Sequence, residues 1–116
     1  MAVQKFEDLL VWQKSQDLAV SIYTMFKDNN DFSFRDQIRR ASISISNNIA
    51  EGFDRNSNAD FARFLYIALS SNSEVRSMLY ISIRLNFISK QQANELIEKT
   101  NEVSKMLHGL IKSIKN

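Results

Sequence analysis

Cysteine and proline are absent from this 116-residue chain, and glycine occurs only at Gly52 and Gly109. Without cysteine there is no disulfide staple and no thiolate zinc site, a composition that fits a reducing cytosol. Without proline, and with so little glycine, nearly every residue can enter a helix and few turns can be built from strong breakers. Long apolar runs are lacking as well. The longest, Phe64 to Leu69, is six residues, against the roughly 18 needed to span a bilayer. The opening MAVQKFEDLL has neither the basic nor the apolar region of a secretory signal. The one histidine, His108, follows Lys105 by three positions, so the paired Glu-x-x-His motifs of carboxylate di-iron bundles are missing. His108 reads as a polar neighbour of Leu107, and neither a metal nor another cofactor is expected. Charge of one sign is not in excess either: 15 Lys and Arg against 13 Asp and Glu give a net +2, which excludes a nonspecific polycation and leaves only local clustering to make a basic surface. These absences predict a soluble, cytoplasmic, all-α protein forming one domain over residues 1–116, with no membrane partner.

What is present is helical periodicity. Four helices are expected, over about 8–27, 34–51, 58–85 and 90–115. Asp8 is a candidate N-cap for the first, whose stripe is Val11, Leu18, Ile22 and Met25 with Ser15 in the gap; Trp12 and Tyr23 flank it as edge packing. Asp28 to Asp31 should end it. Ser33 with Asp36 resembles a capping box for the second helix, along which Phe34, Ile38, Ala41, Ile45 and Ile49 recur at one face until Gly52, a natural C-terminal glycine. Ser57 with Asp60 opens the third, striped by Phe61, Leu65, Ala68, Asn72, Val75, Leu79 and Ile83; Asn86 is placed to take a left-handed conformation at its end. Ser89 and Gln92 form a capping box for the fourth, which carries Ala93, Leu96, Thr100, Val103, Leu107, Leu110 and Ile114. Short loops force neighbours to alternate, so the architecture expected is an antiparallel up-and-down four-helix bundle.

The third helix has more apolar surface than such a bundle can use. Tyr66, Leu69 and Tyr80 fall away from the Phe61 stripe, and Ile67, Met78, Ile81 and Leu85 widen the arc. A second copy of the chain is the expected cover, with Tyr66, Leu69 and Tyr80 as candidate interface residues.

Polar residues concentrate between Gln37 and Phe64. Gln37, Arg40, Ser44, Asn48 and Glu51 run beside the apolar stripe of the second helix, and Arg63 and Glu74 share a face of the third. For an antiparallel pair turning near residue 54, Glu51 stands opposite Arg63 and Arg40 opposite Glu74. Ion pairs between them would join Gln37, Arg40, Asn48, Glu51, Arg63 and Glu74 into a structural network at the core's edge. No nucleophile and orienting base accompany Glu51 or Glu74, and alternate serines at Ser42, Ser44 and Ser46 point to different sides of a helix, so no catalytic residue is expected. The remaining cations Arg39, Arg40, Arg55, Lys105, Lys112 and Lys115 are candidate phosphate contacts, the last three in a segment from Val103 onward that has no acid.

Three segments, FEDLLVWQKS at Phe6 to Ser15, QIRRASISISNNIAEGFDR at Gln37 to Arg55, and the span from Ser57 to Glu74, resemble the four-helix-bundle family of proteins encoded by intervening sequences in bacterial 23S ribosomal RNA genes. The accessory variability protein of diversity-generating retroelements looks like a relative. The resemblance covers the first two-thirds of the chain and is carried most specifically by NIAEG-x-x-R at Asn48 to Arg55. It implies an up-and-down bundle assembled as a homo-oligomer, a pentameric ring, and a partner that is RNA, DNA or another protein. Ser46 stands where many members have proline, and Ser70 where many have glycine, which points to a straighter second helix and an altered helix contact. The function expected is a non-enzymatic, oligomeric binder of structured RNA or other nucleic acid, associated with ribosomes or ribosomal RNA; the alternative is an oligomeric protein scaffold.

Overall fold

A computed structural model describes residues 3–115. After a short 3-10 helix at Phe6–Asp8, four α-helices follow in order: α1 at Leu10–Met25, α2 at Phe32–Phe53, α3 at Asn58–Arg84 and α4 at Lys90–Lys115. Joined by short turns, they run up and down alternately in a bundle 45 Å long and about 20 Å across. The tightest neighbours are α2 with α3 and α3 with α4; α1 packs on α2 and α4, so α1 and α3 lie diagonally across the bundle.

The core is made by the stripes that periodicity marks out. Leu18 and Ile22 from α1, Ile38, Ile45 and Ile49 from α2, Leu65, Val75 and Leu79 from α3, and Val103 and Leu107 from α4 are essentially inaccessible. Burial of side chains of this size stabilises by about 1.5–3 kcal/mol each before conformational entropy is counted. Three polar residues on the stripes are buried with them: Ser15, whose hydroxyl donates to the Val11 carbonyl, Asn72, whose Nδ2 donates to the Thr100 carbonyl at 2.9 Å, and Thr100, whose hydroxyl donates to the Ile97 carbonyl. Asn72 thus ties α3 to α4 where an aliphatic side chain would only pack.

The helix ends of the second half follow local sequence closely. Ser57 Oγ accepts from the Asp60 amide at 3.1 Å. Asn86 has φ 59°, and the Phe87 and Asn86 amides donate to the Ser82 and Ile83 carbonyls, the paired bonds of a Schellman motif. Ser89 and Gln92 cap each other reciprocally, at 2.9 and 3.0 Å.

The first half departs from expectation in three places. Asp8 is not an N-cap: it ends the 3-10 helix, and α1 starts after an extended Leu9 with no side-chain cap. Phe6 is drawn back onto Trp12, ring centroids 5.4 Å apart, and this contact sets the entry of the chain instead. Nor does Ser33 open α2, because Asp31 already accepts from the Phe34 amide at 3.0 Å and the helix begins at Phe32. Gly52 does not end α2. The helix continues to Phe53, and Gly52 is needed for closeness rather than for a left-handed conformation, since a Cβ there would sit 2.6 Å from the Phe64 Cβ. Ser70, by contrast, is exposed, and its hydroxyl donates to the Tyr66 carbonyl of its own helix.

Candidate nucleic-acid interface

The polar stripe of α2 does join α2 to α3, but not through the expected ion pairs. Ser44 and Ser71 hydroxyls meet at 2.9 Å, Asn48 Nδ2 donates to the Ser44 carbonyl and hydroxyl at 2.8 and 2.9 Å, and Gln37 Nε2 donates to Glu74 at 3.3 Å. Among the described residues, neither Glu51 with Arg63 nor Arg40 with Glu74 forms an ion pair. Glu51 instead accepts from Arg55, four residues farther along the chain, at 3.2 Å, and Arg63 faces Asp60 on α3 at 3.6 Å. Local partners win because an i,i+4 or i,i+3 neighbour is already within reach, whereas an interhelical partner requires two long side chains to be ordered across an exposed groove. Ser44, on the polar stripe but outside the network expected from sequence, is the central link of the network that forms; only its neighbour across the groove could have revealed that.

The cations separate into two regions. Arg39 and Arg40 lie on the outer side of α2, whereas Arg55 follows the far end of that helix, about 20 Å or more away at roughly 1.5 Å per residue. Arg39 is held in place: its guanidinium lies 4.5 Å from the centre of the Tyr23 ring and Nη2 donates to the Tyr23 carbonyl at 3.2 Å. Tyr23 is therefore a platform for a cation rather than edge packing alone. Arg40 is exposed beside it, and the two arginines share a surface depression with Asp36, Ser44, Asn47 and Asn48, so one carboxylate faces the same space as the two cations. Among the described residues, Arg39, Arg40, Lys105, Lys112 and Lys115 enter no ion pair, which leaves their charge available to an anion.

At the other end, Arg55 and Arg63 both stack on Phe64, 4.7 and 4.6 Å from the ring centre, and Lys115 Nζ lies 5.8 Å from that of Tyr66. Lys112 and Lys115 close α4 on this side, and Lys105 is exposed farther up the same helix. Aromatic backing is a signal that sequence reasoning missed, because the partners are brought together by the α2–α3 turn and by the α3–α4 pairing. Of the apolar residues expected on an outer face, Tyr66 and Tyr80 are about half exposed, while Leu69 is partly buried against the core. Among the described residues no three His, Cys, Asp or Glu side chains gather as a metal site, and no helix is long and apolar enough to cross a membrane.

This bundle, with its NIAEG segment in the last turns of α2, matches the family model described as 23S rRNA-intervening sequence protein over residues 7–109. The chain belongs to this family. Its fold is also that of a crystal structure from Bacteroides thetaiotaomicron, a protein of unknown function from the S23 ribosomal protein family. The two are 33% identical, with a TM-score of 0.83 over 89% of this chain and 99% of the other. No curated protein matches. Family membership carries no enzymatic assignment.

Proposed function

We propose that this chain is a non-enzymatic, oligomeric nucleic-acid-binding bundle that engages structured RNA, ribosomal RNA first among candidates, through phosphate contacts. The observation that carries the reading is the Arg39–Arg40 pair: one guanidinium is pre-positioned on Tyr23, the next is exposed and outside every ion pair among the described residues, and the exposed Asn47 amide flanks them. Pre-positioning lowers the entropy cost of binding a phosphate, and flanking donors suit a backbone more than a base edge. Arg55, Lys105, Lys112 and Lys115 extend the field.

Self-association completes the proposal. Tyr80, Ile81 and Leu85 are exposed on α3 beside Arg84, while Leu10 and Val20 are exposed on α1, diagonally opposite. Unlike sets of exposed apolar side chains on opposite corners suit a head-to-tail contact, which closes into a ring when the rotation allows. A ring would repeat the modest cationic surface of one chain and strengthen its field.

Binding to a 23S ribosomal RNA fragment should fall steeply as salt rises, and Arg39→Ala with Arg40→Ala should flatten the log–log slope by roughly one for each phosphate no longer neutralised. Absence of binding to ribosomal RNA and duplex DNA at low salt would overturn the nucleic-acid reading and favour a protein scaffold. Light scattering should give a multiple of the chain mass, reduced by Tyr80→Glu; a clean monomer would overturn the ring.

A further inference from the structure

A groove of about 760 Å³ opens between the start of α3 and the end of α4. Its floor exists because α3 presents only small side chains there: Ala59 and Ala62 leave a hollow that Ile114 of α4 walls on the far side. Arg63, Tyr66, Ile67 and Ser70 follow at steps of three, one and three along one stripe of α3, so a cation, an aromatic ring and an aliphatic side chain line one edge in that order. Lys115 supplies a second cation, 5.8 Å from the Tyr66 ring centre. Tyr66 is 48% exposed. Asn58 Nδ2 is occupied by the Ile114 carbonyl at 3.2 Å, which orients the amide and leaves its oxygen as an acceptor at the groove's edge.

The combination is selective. A flat apolar patch would suit another helix face, but this hollow is of small-ligand size and carries positive charge on both of its helices. Duplex nucleic acid could offer phosphates to Arg63 and Lys115, yet its stacked bases could not enter the groove. An unpaired nucleotide could satisfy both parts, with its base against Tyr66 and the apolar floor and its flanking phosphates on the two cations. Stacking on an aromatic ring inside a cationic groove is how single strands are held without sequence preference.

We infer that this groove is a seat for an unpaired stretch of nucleic acid, distinct from the phosphate contacts of Arg39 and Arg40 some distance along the bundle. The inference rests on the nucleic-acid reading above and adds a preference for single-stranded segments, such as a loop or a strand end within a structured RNA. Asp60 opposes part of the Arg63 charge at 3.6 Å, so Lys115 carries the larger share of the phosphate attraction.

The test compares a labelled single-stranded oligoadenylate with a blunt RNA duplex of equal length. Tyr66→Ala should weaken oligoadenylate binding by roughly tenfold with its salt slope unchanged, Tyr66→Phe should preserve it, and duplex binding should move by less than about twofold. Lys115→Met should weaken the single strand and flatten its salt slope by roughly one. Equal losses on both probes, or no loss with Tyr66→Ala, would overturn the inference while leaving duplex binding as support for the broader reading. If Tyr66→Ala lowers the mass by light scattering and leaves oligoadenylate affinity intact, the groove is a contact between copies and the inference fails. Binding of neither probe by the unaltered protein would overturn both readings.

Discussion

Gly52 of α2 and Phe64 of α3 meet in close contact: a methyl group on Gly52 would stand 2.6 Å from the Phe64 Cβ and 3.3 Å from the Phe61 carbonyl oxygen. The obstructing atoms are a Cβ and a backbone oxygen, neither of which can swing aside. Phe64 is in turn the ring on which Arg55 and Arg63 stack, so the same contact that closes the helical hairpin also places two cations.

Gly52→Ala should therefore destabilise the protein although alanine is the better helix former. A 2.6 Å contact between two carbons fixed to the backbone falls in the upper part of the overpacking range, about 2–3 kcal/mol, and the propensity gain returns about 1, for a net loss of roughly 1–2 kcal/mol and a fall in Tm of about 5–10 °C. Gly109→Ala is the control. Gly109 sits within α4 with nothing near the added methyl, so Tm should rise by a few degrees, as propensity alone requires. Thermal melts of both variants test the pair, and a Gly52→Ala protein as stable as the parent would refute the close-approach argument.

Asn72 is buried and donates across to the Thr100 carbonyl. Asn72→Asp replaces that donor by an acceptor, leaving a buried carboxylate facing a carbonyl oxygen, and should cost about 3 kcal/mol or more at pH 7. Burial raises the pKa of the new carboxyl in the folded state above its unfolded value of about 4. The folded variant then holds a proton that the unfolded chain releases, so its deficit should be small below about pH 4 and grow as pH rises toward the raised pKa, levelling off above it. Urea denaturation at acid and neutral pH measures the difference; a pH-independent deficit would count against it.

Cap substitutions should act locally. Ser57→Ala and Ser89→Ala each remove an acceptor from a helix N-terminus and should lose about 1 kcal/mol. Asn86→Gly should gain a few tenths to about 1 kcal/mol, since φ of 59° is unstrained for glycine. Chemical denaturation resolves changes of this size, with the slope m unaltered.

Glu51→Gln should release the Arg55 guanidinium from its 3.2 Å ion pair. Both side chains are about half exposed, so stability should change by less than about 0.5 kcal/mol. Affinity for ribosomal RNA should rise a few-fold with a steeper salt dependence. Unchanged affinity would place Arg55 outside the nucleic-acid contact.

The fold was legible because its determinants are short-range. Stripes at three and four residue spacing, the Ser57 and Ser89 caps and a left-handed Asn86 all act within a turn or two, and with no proline and only two glycines no competing structure intervenes. The first turns of α1 and α2 were less legible for the opposite reason: Asp8 and Ser33 are plausible caps by type, but Phe6 packing on Trp12 and a stronger cap at Asp31 take precedence. The polar region was half legible. Its residues could be named from α2 and α3, but the choice of partner turned on which groups lay nearest in space, and nearby Asp60 and Arg55 displaced the longer-range pairings.

By itself, then, the order of residues determined four amphipathic helices, their alternation and their membership of the 23S rRNA-intervening sequence family, since periodicity, capping and the NIAEG segment are properties of neighbours along the chain. Only the tertiary structure decided that Gly52 serves closeness to Phe64 rather than a helix end, that Tyr23, Phe64 and Tyr66 back cations, and that Ala59, Ala62 and Ile114 enclose a groove. Apart from Arg63 beside Phe64, each of these depends on groups from different elements meeting, and the distance between helices is set by packing of the whole core rather than by any local stretch.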